Sequence, residues 1–278
     1  MNLAYNINGL RNLDVRTAIL KLGNAGYNAV ELSLHHRHIH PYFTSENQLR
    51  MLKILLKENG IRPICLATGA ADLLTNIVHE PSLITLVAAG RDARIALIRE
   101  AAHMAEELEI PVVNFSSGYK NPSLADTEAE KYLIDSIWKI ALGSGKVTFA
   151  IEPEPGMFIE TTSQAIALIK KAKVPNLKLN TDLGHVVCCE ENIEESLKNA
   201  LPFTVHMHVE DIKGRSHRHL IPGRGDIQWN RVIGCLMGEE YKGYLSVELY
   251  DYDSIADEAM KESRDFLLKV EKDYIEEK

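Results

Sequence analysis

The sequence predicts an α/β fold, a single closed (β/α)8 barrel over residues 1–278, and three observations predict it. Short apolar or β-branched runs alternate with amphipathic helical patterns through eight units. The chain has 278 residues, the length of one such barrel and too few for two complete domains of that size. No dinucleotide fingerprint follows the first strand, which weighs against an open doubly wound sheet.

Strands are expected at 3–7, 29–34, 62–67, 111–115, 147–152, 177–182, 204–209 and 244–249. Helices are expected near 13–26, 44–59, 91–109, 127–142, 162–172, 191–200, 229–238 and 254–274. In the first helix Leu13, Val15, Ala18, Ile19 and Leu22 recur at helical spacing. Gly26 and Gly60 stop the first two helices, because glycine enters the left-handed conformation at little cost. Glu152-Pro153-Glu154-Pro155-Gly156 ends the fifth strand in loop-forming residues. The stretch 70–89 is long for a loop and is expected to carry an extra short helix over the mouth of the barrel.

A formal net charge of -8 argues against nucleic acid as a partner, since such binders usually present a basic face. The cysteines are Cys65, Cys188, Cys189 and Cys235; with no CxxC and so few in a chain this long, reduced thiols are expected rather than a disulfide framework. The N-terminus lacks a basic segment followed by an apolar core, and no apolar run is long enough to span a bilayer. A soluble, cytoplasmic protein is expected.

In a barrel the loops after the strands form the active face, so the strand ends test function. Strands five to eight end in Glu152, Asp182, His208 and Glu248. Side chains alternate along a strand, so Ala150 shares a face with Glu152, Asn180 with Asp182, His206 with His208 and Ser246 with Glu248. With those faces inward, three carboxylates and an imidazole converge. The carboxylates would repel one another unless a proton or cation neutralised them. One divalent ion, Mn, Co, Mg or Zn, suits this mostly oxygen donor set.

The motifs Ala150-Ile-Glu152-Pro, Asp182-Leu-Gly-His185, His208-Val-Glu-Asp211-Ile-Lys213-Gly214, Pro222-Gly-Arg-Gly225-Asp226-Ile-Gln-Trp229 and Ser246-Val-Glu248 occur in order over about 145–250. In this the chain resembles the xylose-isomerase-like TIM barrel superfamily of sugar isomerases, ketose 3-epimerases, inosose dehydratases and apurinic endonucleases. The resemblance implies that Glu152, Asp182, His208 and Glu248 hold the metal and that His185 contacts substrate. It places Lys213 and Arg215 where substrate-orienting cations lie, with Arg224 a weaker candidate in the next loop. It also implies proton transfer beside a metal-held carbonyl, with Glu152 and Glu248 as the catalytic pair. Epimerisation, aldose–ketose isomerisation and dehydration all start that way.

In the endonucleases an Asp-x-His pair, together with the histidine matched by His185, binds a further zinc. Here His217-Arg218-His219 stands at that position, so His185, His217 and His219 are candidates for a second zinc or, alternatively, for substrate contacts on a solvated loop. The endonucleases' histidines at strands three and four are replaced by Cys65-Leu-Ala-Thr68 and Asn114-Phe-Ser116, which leaves a trinuclear site incomplete. In the loop after strand two, His35 and Arg37, among further histidines, are candidates for holding a phosphate or carboxylate. Glu31 is expected to point inward and brace the site, and Glu154 and Glu160 to reach substrate or face water. Trp229 is expected to pack where it opens a helix.

The leading expectation is a metal-dependent isomerase or epimerase of a sugar, sugar phosphate or cyclic polyol ketone. An inosose-type dehydratase is a mechanistic neighbour. A zinc phosphodiesterase would need more zinc and a basic groove, and a non-catalytic metabolite-binding barrel would carry a damaged quartet. A homodimer is compatible with such barrels.

Overall fold

The computed structural model describes residues 1–69 and 73–277. Eight parallel strands close into a barrel: β1 (Asn2–Asn6), β2 (Ala29–Ser33), β3 (Arg62–Ala67), β4 (Val112–Ser116), β5 (Thr148–Glu152), β6 (Leu177–Asp182), β7 (Thr204–Val209) and β10 (Tyr244–Val247). Closure is between the first and last of these, with Asn2 opposite Tyr244 and Tyr5 opposite Val247. Between β7 and β10 a small antiparallel hairpin rises from the rim, β8 (Asp211–Lys213) and β9 (Ser216–Leu220), turning at Gly214 with φ +61°.

The helices are α1 (Val15–Asn24), α2 (Glu46–Glu58), α3 (Ala88–Glu107), α4 (Asp126–Ala141), α5 (Thr162–Ala172), α6 (Leu183–Cys189), α7 (Ile193–Ala200), α8 (Trp229–Gly238) and α9 (Ala256–Glu276). Local chemistry sets their ends. Asp14 caps α1 by accepting the Thr17 amide, and Ser45 with Gln48 and Thr161 with Gln164 form capping boxes. Gly26 and Gly60 take φ of +84° and +64° just past α1 and α2, where a side chain would be strained. The stretch 73–87 carries turns and bends without the expected short helix; α3 begins instead at Ala88, and 70–72 lies outside the described residues. Among the elements that went unforeseen are α6 and the two strands of the hairpin.

The outward faces of the strands pack Leu3, Tyr5, Val30, Leu32 and their equivalents against the helices in one continuous core. Each such side chain, fully buried, contributes about 1.5–3 kcal/mol. Inside the barrel the floor is a separate cluster of mostly small residues, Ala4, Ala29, Ile64, Cys65, Val112 and Ala150. Two positions further along these strands come Asn6, Glu31, Asn114 and Glu152, all buried. The interior thus turns from apolar to polar toward the carboxyl ends of the strands, and that gradient positions the site. All four cysteines are free thiols. Among the described residues no helix is long and apolar enough to cross a membrane.

Candidate functional site

Glu152, Asp182, His208 and Glu248 converge at the top of the barrel, each offering a donor atom within 4.8 Å of the others. Nδ1 of His208 lies 3.0 Å from Glu152 Oε1, 3.3 Å from Glu248 Oε2 and 3.6 Å from Asp182 Oδ2. All four residues are buried. Asp182 has two tasks. Its Oδ1 caps α6 by accepting the His185 amide at 2.8 Å, while Oδ2 is buried without a hydrogen-bond partner.

Beneath the quartet sits Glu31, fully buried. It accepts from His206 Nε2 (2.7 Å), His208 Nε2 (2.9 Å) and Ser246 Oγ (2.8 Å). Burial alone would raise its carboxyl, but the charges of His208 and His206 outweigh burial and hold it low. Glu248 Oε1 accepts from Asn6 and Asn8 at 2.8 and 2.7 Å, and Asn114 Nδ2 lies 3.3 Å from Glu152 Oε2.

The electrostatics ask for a cation. Burial pushes the Glu152 carboxyl up to about 7, with the His208 charge opposing and Glu248 adding to the rise. Burial would discharge His208, yet the carboxylates of Glu248, Glu31 and Glu152 hold its imidazole well above its ordinary range. Burial and the charge of neighbouring Asp182 push the Glu210 carboxyl well above its ordinary range, and neither of its oxygens has a hydrogen-bond partner among the described residues. Surplus negative charge, an orphaned Asp182 oxygen and mixed oxygen and nitrogen donors are what a divalent ion would satisfy; these residues fit one.

A second cluster adjoins the first. Nε2 of His217 lies 3.0 Å from His185 Nε2 and 3.2 Å from His219 Nε2. His185 Nδ1 is 2.8 Å from the Pro153 carbonyl and His219 Nδ1 3.1 Å from the Glu248 carbonyl. Carbonyls only accept, so both rings when neutral carry the proton on Nδ1 and turn Nε2 lone pairs toward His217.

A cavity of about 370 Å³ opens over both clusters. Glu152, Glu248, His185, His217, His219 and His35 line it, whereas Asp182 and His208 lie beneath its walls. Lys213 and Arg215 do not line it: they project from the exposed hairpin, and Arg215 donates to the Glu190 carbonyl. Arg37 also points away, donating to the Asn12 carbonyl, and Arg224 pairs with Glu262. The His35 ring packs against those of His36 and His38, with centroids 4.0 and 5.2 Å apart, but among the described residues the histidines after β2 form no metal-ligand cluster: Nε2 of His38 donates to the Leu10 carbonyl and Nδ1 of His40 accepts the Tyr42 amide. Trp229 opens α8, donates to Asp211 and packs edge-on against Phe266. Glu160 accepts the Gly156 amide in its own loop.

Among the lining residues that escaped the sequence reading are His79 and Arg11. His79 has φ +63°, and its Nε2 lies 3.3 Å from Glu154 Oε2, which also accepts Ser116 Oγ at 2.9 Å. Gly69 makes room for its ring, because a Cβ there would overlap the imidazole. Arg11 follows the 3-10 turn Ile7–Leu10 after β1. Neither lies on a regular element, so no periodicity pointed to them; position in a loop after a strand was the one available signal.

The closed parallel barrel with polar groups gathered at the carboxyl ends of its strands defines a (β/α)8 barrel of the kind that carries its active site at that end. A profile of the xylose isomerase-like TIM barrel family matches residues 19–270, and the chain belongs to that family. Its relatives and neighbours are mostly enzymes of sugar isomerase or epimerase type. A Homo sapiens protein provisionally named hydroxypyruvate isomerase is 24% identical over 260 residues, 89% of this chain and 87% of its own. The inosose dehydratase of Clostridium perfringens is 25% identical over 206 residues, 67% of this chain and 65% of its own. Among solved structures, D-psicose 3-epimerase of Clostridium cellulolyticum H10 with D-tagatose superposes at TM-score 0.80 with 18% identity, covering 98% of this chain and 99% of that one. The IOLI protein with a bound zinc atom superposes at 0.81 with 20% identity, covering 99% of each.

Proposed function

We propose that this protein is a metal-dependent isomerase or epimerase that moves a proton next to the carbonyl of a sugar, sugar phosphate or cyclic polyol ketone. The observation that carries this reading is that, of the quartet, only Glu152 and Glu248 line the cavity. They stand on β5 and at the end of β10, with β6 and β7 between them. Glu152, Asp182, His208 and Glu248 would hold one divalent ion, a reading that the zinc-bound neighbour supports. A divalent ion there supplies positive charge that stabilises negative charge developing on substrate oxygens. Glu152 and Glu248 take a proton from one face of the carbon beside the carbonyl and return one to the other face. The amides of Asn6 and Asn8 hold Glu248, and Asn114 holds Glu152, so both carboxylates meet substrate pre-oriented. Loss of a β-hydroxyl after the same first proton transfer would give dehydration, which the likeness to inosose dehydratase supports.

The facing lone pairs of His185 and His219 support a second reading, in which those residues and His217 hold a zinc of their own. Elemental analysis of protein purified without chelator or tag separates the two, with one ion per chain for a single site and two for both. Solvent deuterium exchange into ketoses and inososes tests the chemistry. Glu152→Gln and Glu248→Gln should each lower it by about 10²–10⁴ with folding retained. Full exchange in either variant would remove the proton-transfer assignment.

A further inference from the structure

Among the described residues, Arg11 is the only lysine or arginine that lines the cavity. It is half-buried, and its guanidinium lies 5.7 Å from the centroid of the Tyr250 ring. Among the described residues it has no hydrogen bond and no ion pair. The other arginines around this rim are engaged: Arg37 with Asn12, Arg215 with Glu190, Arg224 with Glu262. Arg218 faces the adjoining depression beside Tyr252. Asp253, the acid whose carboxylate reaches this turn, accepts the Asn12 amide and makes no ion pair with Arg11.

Arg11 shares its cavity with His35 and Asn8. The Arg37 amide donates to His35 Nδ1 at 3.3 Å, so the neutral ring carries its proton on Nε2, which among the described residues has no hydrogen-bond partner. Burial, then the charges of His36, His38 and Arg11, lower His35 to about 4, so the ring is an uncharged donor at neutral pH. The Tyr250 hydroxyl accepts from Asn8 Nδ2 at 3.1 Å, and that nitrogen also donates to Glu248 Oε1 at 2.7 Å. Arg11 is therefore joined to Glu248 by a line of contacts through Tyr250 and Asn8, and all four line one cavity.

We propose that Arg11 and the Nε2–H of His35 form a subsite for an anionic group, a carboxylate or a phosphate, on the end of the substrate remote from the reacting carbonyl. This rests on the reading of the site as a ketose isomerase or epimerase and narrows its substrates to acidic ones. A guanidinium offers paired N–H donors that match two oxygens of either anion and keeps its charge at every working pH. A neutral ketose would leave it half-buried and unpaired.

Isothermal titration calorimetry of metal-loaded protein with inorganic phosphate and, separately, with acetate tests the subsite without turnover. Arg11→Gln should weaken one or both about tenfold or more, with Arg11→Lys intermediate. Arg16→Gln, which removes the same charge from the exposed face of α1, should change neither. A loss confined to phosphate marks a sugar phosphate, and one confined to acetate marks a sugar acid. Equal affinities in wild type and Arg11→Gln, or no binding of either anion by wild type, overturn the subsite. In the deuterium exchange assay, D-fructose 6-phosphate or an acidic ketose should be processed at least tenfold better than D-fructose; the reverse order overturns the subsite. Silence with every ketose would instead sink the isomerase reading, while the calorimetry still decides on Arg11.

Discussion

Nε2 of His208 lies 2.9 Å from Oε2 of Glu31, while Nδ1 of the same ring faces Glu152 at 3.0 Å and Glu248 at 3.3 Å. The two nitrogens look in opposite directions. Carboxylates only accept, so without a metal ion both nitrogens donate, in keeping with an imidazole held well above its ordinary range; a divalent ion in the quartet would take the Nδ1 lone pair and leave the Nε2 proton on the Glu31 side.

Removing the Glu31 charge should therefore disturb the quartet without touching it. Glu31→Gln is expected to weaken divalent-metal affinity by about 10- to 100-fold, read by competition with a chromophoric chelator. Wild-type affinity in this variant would show that His208 is oriented by packing alone.

Asp211 ties the loop after the hairpin to the barrel. It accepts the amides of Ile212 (2.9 Å), Ile227 (3.1 Å) and Gly223 (2.7 Å), and the Trp229 indole N–H (2.9 Å). Asn in its place would turn an NH2 toward two donors. Asp211→Asn should cost about 2–4 kcal/mol and lower Tm by roughly 5–10 °C in thermal unfolding. Trp229→Phe, which removes one donor, should cost less.

His38 gives the fold an acid-sensitive point. Burial, more than the opposing carbonyl contact to Leu10, lowers its pKa from 6.5 to about 4. The unfolded chain therefore binds a proton that the folded chain refuses between pH 6.5 and 4, and stability falls as pH drops through that window. The full difference is worth up to about 3 kcal/mol. His38→Gln should flatten the pH dependence of urea unfolding there, and an unchanged slope would exclude His38 as its source.

Gly9 is a close approach of backbone to backbone. A Cβ there would overlap the Leu249 carbonyl oxygen, which no side-chain rotation relieves. Gly9→Ala should cost about 1–3 kcal/mol and, by shifting Asn8 from Glu248, weaken metal binding as well. A variant with wild-type Tm and metal affinity would count against that coupling.

The barrel and the quartet were legible because both follow from periodicity. Glu152, Asp182, His208 and Glu248 end consecutive barrel strands, and alternation put them on one face. What lacked periodicity was not legible. Ser216–Leu220 reads as a polar loop, yet pairs as β9 and brings His217 and His219 against His185. Leu183–Cys189 is too short to show a helical pattern, and its cap is Asp182 itself. Arg37 carried a strong local signal among histidines, but its side chain spans to Asn12 while Arg11 reaches the cavity. Which of two neighbouring cations faces inward is decided by loop conformation, and loop conformation leaves little trace in composition.

The closure of β1 on β10 also has a consequence for how the chain comes to be. Asn6 and Asn8 hydrogen-bond Glu248 across 242 and 240 positions of sequence. During synthesis these two amides leave the ribosome long before their carboxylate partner, and until β10 arrives β1 has an unpaired edge. The first strand to be made is thus among the last to be completed, and the same late event that seals the barrel delivers the fourth member of the quartet.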